Sequence, residues 1–198
     1  TGWKFYAERP FLAGLFYWTG FDYRGESNPF GWPAVASQFG IVDLCGFPKD
    51  IFYYLKSWWT NEPVLYLYPH WNWKGKEGQN INVVVYSNAD EVELLVNGNS
   101  KGKKSMPVNG HIEWTVTYQP GSIEAKGYKK GKLISNYKSE TTEIAQDIVL
   151  YADKSIINAD GQDIAVITVS AADNKGRFVP DASNEIAFEI DGPARIIG

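Results

Sequence analysis

The spacing of apolar and polar positions changes twice along this 198-residue chain. Residues 1–13 mix Trp3, Phe5 and Tyr6 with Lys4, Glu8 and Arg9, the pattern of an amphipathic helix end that is already under way at residue 1 and is stopped by Pro10. The unbroken apolar run Leu15, Phe16, Tyr17, Trp18 predicts a short, fully buried strand. It opens abruptly into Gly20 and Gly25 and the carboxylates Asp22 and Glu26. Residues 19–47 hold five glycines and two prolines among aromatics, which predicts a long, structured loop of the kind that usually carries function. Pro48 suits the first position of a helix, and Ile51, Leu55, Trp58 and Trp59 recur at helical spacing as far as Thr60. Strand, loop and helix together make one β/α unit.

From Asn61 the period becomes two. Residues 64–68, 81–86, 92–96, 112–118, 122–128 and 132–137 read as short strands, punctuated by the turn pairs Asn97-Gly98, Pro120-Gly121 and Lys130-Gly131. Six or seven strands at this spacing predict an immunoglobulin-like sandwich. Lys101, Lys103 and Lys104 fall on one hairpin and read as a solvated edge that discourages further strand pairing. A linker over residues 141–146 leads to a second all-β stretch, with strands expected at 148–151, 164–170 and 185–190 and a turn at 173–176. About 50 residues remain there, against the roughly 100 of a typical sandwich domain, so a domain truncated at residue 198 is expected.

Several separated blocks in this order carry a family resemblance. Trp18-Thr19-Gly20-Phe21-Asp22-Tyr23-Arg24-Gly25-Glu26, Trp32-Pro33, Phe39-Gly40-Ile41-Val42-Asp43 and Gly46-Phe47-Pro48-Lys49-Asp50 resemble the last strand and helix of the catalytic barrel in family 2 glycoside hydrolases, the β-galactosidase group. Pro69-His70-Trp71-Asn72-Trp73 and Leu95-Val96-Asn97-Gly98 resemble the β-sandwich that follows the barrel. The resemblance implies a mainly β fold: immunoglobulin-like β-sandwiches preceded by the last β/α unit of a (β/α)8 barrel. The expected organisation is a barrel remnant at 1–60, a sandwich domain at 61–144, and the start of a second, truncated β domain at 145–198. One β/α unit cannot close an eight-stranded barrel, so the chain reads as a C-terminal portion of a larger enzyme, with apolar surface exposed over residues 1–60.

Composition narrows the choice of partners. Nineteen basic against 23 acidic residues give a net charge of −4, with no basic block able to track a phosphate backbone, so nucleic acid is not an expected partner. No apolar run approaches the roughly 18 residues of a membrane helix, and the first residues lack the form of a signal peptide. The single cysteine, Cys45, excludes an internal disulfide and reads as a buried small hydrophobe. Eight tryptophans and 12 tyrosines, concentrated before residue 74, suit a region that handles sugars. The resemblance alone implies a secreted or periplasmic location.

Retaining hydrolysis of a glycoside needs two carboxyl groups about 5–5.5 Å apart. The resemblance implies that these are glutamates on the fourth and seventh barrel strands, outside this chain, so no catalytic residue is expected here and the chain alone is expected to be inactive. The implied reaction of the whole enzyme is hydrolysis of terminal β-galactosides through a covalent glycosyl-enzyme. The implied partners are that carbohydrate substrate and an upstream barrel domain of the same polypeptide.

The candidate substrate-binding residues are Trp18, Asp22, Tyr23, His70, Trp71 and Trp73. Trp18 is similar in position to a family tryptophan that lines the sugar pocket, the alternative being a core residue. Asp22 could bond a sugar hydroxyl or fix the loop through backbone amides, and Tyr23 could do either. Arg24 and Glu26 read as an ion pair that holds the loop. Trp71 and Trp73 share a side if extended, either packing at a domain interface or offering a ring to substrate. His111 has no partner pattern. Residues 156–161 keep the later part of a calcium-loop pattern, but Ile156 stands where the first Asp belongs and Ile167 where the terminal Glu belongs. No metal or cofactor is expected, and Asp153, Asp160 and Asp163 read as a solvated face. The rival reading from another class is a non-catalytic carbohydrate-binding or adhesion module, which gives no reason for a strand, glycine-rich loop and helix ahead of the sandwich.

Overall fold

The structure, a computed structural model, describes residues 2–197. The chain is mainly β. Residues up to Thr141 form one compact unit and those from Thr142 onward a second.

Seven strands of the first unit make an immunoglobulin-like sandwich: β1 (Leu65–Tyr68), β2 (Asn80–Ser87), β3 (Glu91–Val96), β4 (Asn99–Ser105), β5 (Ile112–Thr117), β6 (Ser122–Lys129) and β7 (Lys132–Glu140). One sheet has the order β1-β2-β5 and the other β4-β3-β6-β7, all neighbours antiparallel. Strict alternation in β3, β5 and β6 turns Val92, Leu94, Val96, Ile112, Trp114, Val116, Ile123 and Ala125 inward, where they meet Leu67, Val83 and Val85. The β3–β4 hairpin turns on Asn97 and Gly98, whose φ angles of 50° and 77° are those of a two-residue primed turn matched to strand twist.

Strand β4 was not among the predicted strands, because it has no buried face: all seven of its residues are exposed at the edge of the larger sheet. Its lysines supply the expected solvated edge. Lys104 Nζ donates to the Glu113 carbonyl at 2.7 Å, and Lys103 Nζ lies 4.0 Å from the centre of the Tyr128 ring.

Helix α2 (Asp50–Trp59) packs on the outer face of the smaller sheet. Its Tyr54 and Leu55 are buried with Val84 and Tyr86, which point away from the sandwich core. Strand β2 is therefore buried on both faces from Val83 onward. Tyr54 Oη donates to the Asn109 carbonyl at 2.8 Å and Trp58 Nε1 to the Gly110 carbonyl at 3.2 Å, tying the helix to the β4–β5 connection. Trp3, on the short helix α1 (Gly2–Ala7), donates to the Asn109 side chain at 3.0 Å and meets Trp59 edge to face. Pro48 does not open α2. The Lys49 amide bonds to the Ile41 carbonyl, which holds Lys49 extended and moves the first helical residue to Asp50.

Two expectations fail here. Residues 15–18 form no strand, and Phe16 and Trp18 are exposed. A strand of a parallel barrel draws its hydrogen bonds from neighbouring strands, and none of the strands among the described residues pairs with this run. Of the expected strand, loop and helix, only the loop and the helix form. Exposed Phe11, Phe16, Tyr17, Trp18, Phe21, Phe30, Trp32 and Phe47 give residues 1–60 the open apolar surface expected of them. Cys45 is exposed rather than buried, because it sits in a tight turn in which Asp43 Oδ1 accepts from the Cys45 and Phe47 amides, each at 2.8 Å.

The second unit is built on the antiparallel hairpin β8 (Asp147–Ala152) and β9 (Ile167–Ala172). Residues 185–190 alternate apolar and polar as a strand would, yet they are irregular, with Phe188 and Ile190 exposed; they too have no ladder partner among the described residues. What orders the unit is Asp173. Its carboxylate is fully buried and accepts from the Glu143 amide at 3.1 Å, the Lys175 and Arg177 amides at 3.0 Å each, and Arg177 Nε at 2.9 Å.

Candidate functional site

The loop at 19–47 doubles back on itself. The Asp22 amide donates to the Val42 carbonyl at 2.8 Å, the Val42 amide to Gly20 at 2.9 Å, the Ser37 amide to Tyr23 at 2.8 Å and the Gly25 amide to Val35 at 2.8 Å. Residues 19–26 thus lie alongside 34–42 and are held at both ends.

Asp22 is the hub of this clamp. Its Oδ1 accepts from the Gly40 amide at 2.8 Å and the Ser37 hydroxyl at 3.2 Å, while Oδ2 pairs with the Lys49 ammonium. Lys49 also donates to the Gln38 carbonyl at 3.0 Å. The Lys49 ammonium, with the Gly40 amide and Ser37 hydroxyl, holds the Asp22 carboxyl below the ordinary range against a desolvation that raises it. Gly40 is there because nothing larger fits: a Cβ would stand 2.3 Å from the Asp22 nitrogen. Of the two roles left open for Asp22, the loop-fixing one is occupied on both oxygens.

Tyr23 stands beside it with a different partner set. Its hydroxyl accepts from Trp18 Nε1 at 3.3 Å and donates to the Glu26 carboxylate. The Tyr23 ring meets Trp18 and Phe39 edge to face, with centroids 6.2 Å and 5.9 Å apart. Trp18 is 74% exposed, so nothing among the described residues buries its ring. The expected Arg24–Glu26 ion pair does not form: among the described residues neither side chain joins a salt bridge, and Glu26 turns to Tyr23 instead. The i, i+3 spacing of Tyr23 and Glu26 across Gly25 was the available signal for that bond.

The second aromatic group belongs to the sandwich. Trp71 is 0% exposed in its core, and its Nε1 donates to the Gln119 carbonyl at 3.1 Å, so its ring is beyond the reach of a sugar. His70 stacks on Trp73 with centroids 4.8 Å apart, Trp73 Nε1 donates to the His70 carbonyl at 2.9 Å, and Lys76 Nζ lies 4.7 Å over the same ring. The Trp73 face is already covered. Residues 69–73 are not a strand, yet both rings turn to the sandwich: Trp71 lies in its core and Trp73 packs against that core. Trp18 and Tyr23 are therefore brought together, Asp22 supports them from below, and no bond or ring contact among the described residues links them to His70, Trp71 or Trp73.

No group of three or more His, Cys, Asp or Glu side chains among the described residues is arranged to hold a metal ion. Asp160 accepts from the Gln162 and Asp163 amides, and Asp163 pairs with Lys154 at 2.7 Å. His111, without a partner by pattern, lies 2.8 Å from Glu113.

Comparison with known proteins agrees with these blocks. Residues 148–198 match the model of the glycoside hydrolase family 2 C-terminal domain 5, and residues 78–135 match a domain of unknown function, DUF4982. Over 197 residues the chain is 45% identical to the β-galactosidase BoGH2A of Bacteroides ovatus, covering 98% of this chain and 23% of that protein. It is 35% identical over 203 residues to a putative β-glucuronidase of Formosa agariphila, covering 98% of this chain and 19% of that one. Among solved structures, a β-glycosidase from Bacteroides vulgatus superposes with a TM-score of 0.86 at 38% identity, over 92% of this chain and 23% of the other. A glycosyl hydrolase family 2 member from Bacteroides cellulosilyticus gives a TM-score of 0.79 at 30% identity, over 89% and 28% respectively. The chain thus spans about a quarter or less of these curated relatives. With blocks, sandwich and loop all in the family's order, the chain belongs to glycoside hydrolase family 2, as a C-terminal portion of such an enzyme.

Proposed function

We propose that this chain is the part of a family 2 β-galactosidase that supplies scaffold and one wall of the sugar pocket, while the catalytic carboxylates lie in the rest of the polypeptide. The observation that carries this reading is Trp18: an indole left open to solvent, yet tethered through its N–H to Tyr23. A flat aromatic face held in that way can stack on the C–H face of a pyranose. Trp18 touches the sugar in this reading, with Phe39 and the Tyr23 ring beside it; Asp22 fixes the loop that carries them.

Two features favour a neutral sugar over a uronic acid. The carboxylate bonded into the Trp18–Tyr23 cluster is that of Glu26, which repels a second carboxylate. The 45% identity to a protein named as a β-galactosidase, against 35% to one named as a putative β-glucuronidase, points the same way. The Asp22 carboxylate, buried and ion-paired, is unsuited to proton transfer, which supports placing the acid/base and nucleophile elsewhere.

The test is steady-state hydrolysis of an aryl β-galactoside and an aryl β-glucuronide by the full polypeptide that contains this chain. The galactoside is expected to be the better substrate. Trp18→Ala is expected to lower its kcat/KM roughly tenfold to a hundredfold, as loss of an aromatic platform of ~1–3 kcal/mol implies. Preference for the glucuronide would overturn the substrate assignment, and an unchanged kcat/KM in Trp18→Ala would overturn the pocket wall.

A further inference from the structure

We propose that Glu26, acting through the Tyr23 hydroxyl, is a positioning residue that holds the Trp18 indole ready for the sugar; the proposal rests on the pocket reading above. The tether has three links on the page: Trp18 Nε1 donates to Tyr23 Oη, Tyr23 Oη donates to Glu26, and the Tyr23 backbone is fixed on both sides. The last link consists of the Tyr23 amide donating to Ser37 Oγ at 3.0 Å and the Tyr23 carbonyl accepting from the Ser37 amide at 2.8 Å.

The polarity of this chain of bonds follows from donor counting. An indole N–H only donates and an ionised carboxylate only accepts, so the hydroxyl between them must accept from one and give its single proton to the other. Each partner thereby fixes the orientation of the next. Because Trp18 is mostly exposed, packing does not hold its ring; the N–H bond and the edge contact with Tyr23 do. An exposed indole without that bond samples several rotamers, and fixing it on binding weakens affinity about three- to tenfold.

The backbone is shaped for this contact. Gly25 and Glu26 follow one another with φ of 100° and 48°, a left-handed pair that turns the chain sharply and brings the Glu26 side chain back over Tyr23. Glycine adopts such angles freely, whereas a glutamate there is uncommon and strained. A non-glycine residue kept in that region, with its carboxylate spent on a neighbour's hydroxyl, is what a positioning role requires.

The experiment is a double-mutant cycle in the full polypeptide, with KM and kcat read for an aryl β-galactoside. Glu26→Ala and Tyr23→Phe are each expected to raise KM about three- to tenfold with kcat changed by less than about twofold, since a platform that meets ground and transition states alike acts through KM. Glu26→Gln keeps an acceptor oxygen for Tyr23 and is expected to recover most of that loss. In the Trp18→Ala background, Glu26→Ala is expected to add less than about twofold. If Trp18→Ala itself leaves kcat/KM unchanged, the pocket reading falls and this inference with it. If Trp18→Ala raises KM but the full Glu26→Ala effect persists beside it, the positioning role alone is overturned. Glu26→Gln as damaging as Glu26→Ala would also overturn it, and melting curves of the Gln variant separate that result from misfolding.

Discussion

Replacing Trp71 by alanine is expected to destabilise the sandwich by roughly 3–5 kcal/mol, the cost of truncating a fully enclosed large aromatic. The ring is 0% exposed, its edge contact with Tyr118 has centroids 5.1 Å apart, and its N–H satisfies the Gln119 carbonyl. The residue's own carbonyl receives the Thr141 hydroxyl at 2.7 Å, so the site ties the segment after β1 to the end of β7. Alanine leaves a cavity and an unpaired carbonyl together. Against a total of about 5–15 kcal/mol for a domain, such a loss is about a fifth of the stability or more. Denaturant unfolding followed by near-ultraviolet circular dichroism measures it. A midpoint unchanged from wild type would mean that Trp71 is not in the core and would return it to the sugar-binding candidates.

Removing the Asp173 carboxylate is expected to have the largest effect in the second unit. With Asp173→Ala, three backbone amides and the Arg177 guanidinium lose their common acceptor, and a hairpin exposed along the whole of β8 has little else to replace it. Amide hydrogen exchange in β8 and β9 is expected to rise to the rate of an unstructured peptide while β2, β3 and β6 stay protected. Full protection of the hairpin in the variant would contradict the assignment. The Arg177 side chain, with the amides of Arg177, Glu143 and Lys175, holds the Asp173 carboxyl well below the usual carboxylate range. A folded-state pKa depressed in this way gives stability that is fully present above the unfolded value, near ~3.9, and is lost as pH falls through the folded one. Protection of β8 and β9 in the native protein is therefore expected to persist through mildly acidic pH.

The sandwich was legible because its signals are local. Alternation in β3, β5 and β6 and the pair Asn97-Gly98 each specify a backbone without reference to distant residues. Strand β4 was hidden because an edge strand exposed on both faces has no apolar period, although its lysines announced an edge. The runs at 15–18 and 185–190 misled for the opposite reason. They have a strand's composition but no ladder partner among the described residues, and strand formation depends on pairing as much as on pattern.

Trp18 and Tyr23 stood out in the sequence as candidates, but not the tether between them. A hydrogen bond from Tyr23 to Glu26 depends on left-handed angles at Gly25 and Glu26, and in sequence the neighbouring Arg24 was the more obvious partner. Asp22 looked available to a sugar because Lys49, 27 residues further on, gives no local sign that it will reach back to it. Of the two roles left open for Trp71 and Trp73, packing is the one realised: Trp71 lies in the sandwich core and Trp73 packs against it.

The most direct measurement is hydrolysis of an aryl β-galactoside by the 198-residue chain alone beside the full polypeptide that contains it. The account predicts turnover by the full polypeptide and none above background by the chain, because the proposed role of Trp18 and its loop is binding, with the acid/base and nucleophile placed elsewhere in the polypeptide. Turnover by the chain alone would contradict it and make Asp22 and Glu26 the leading catalytic candidates.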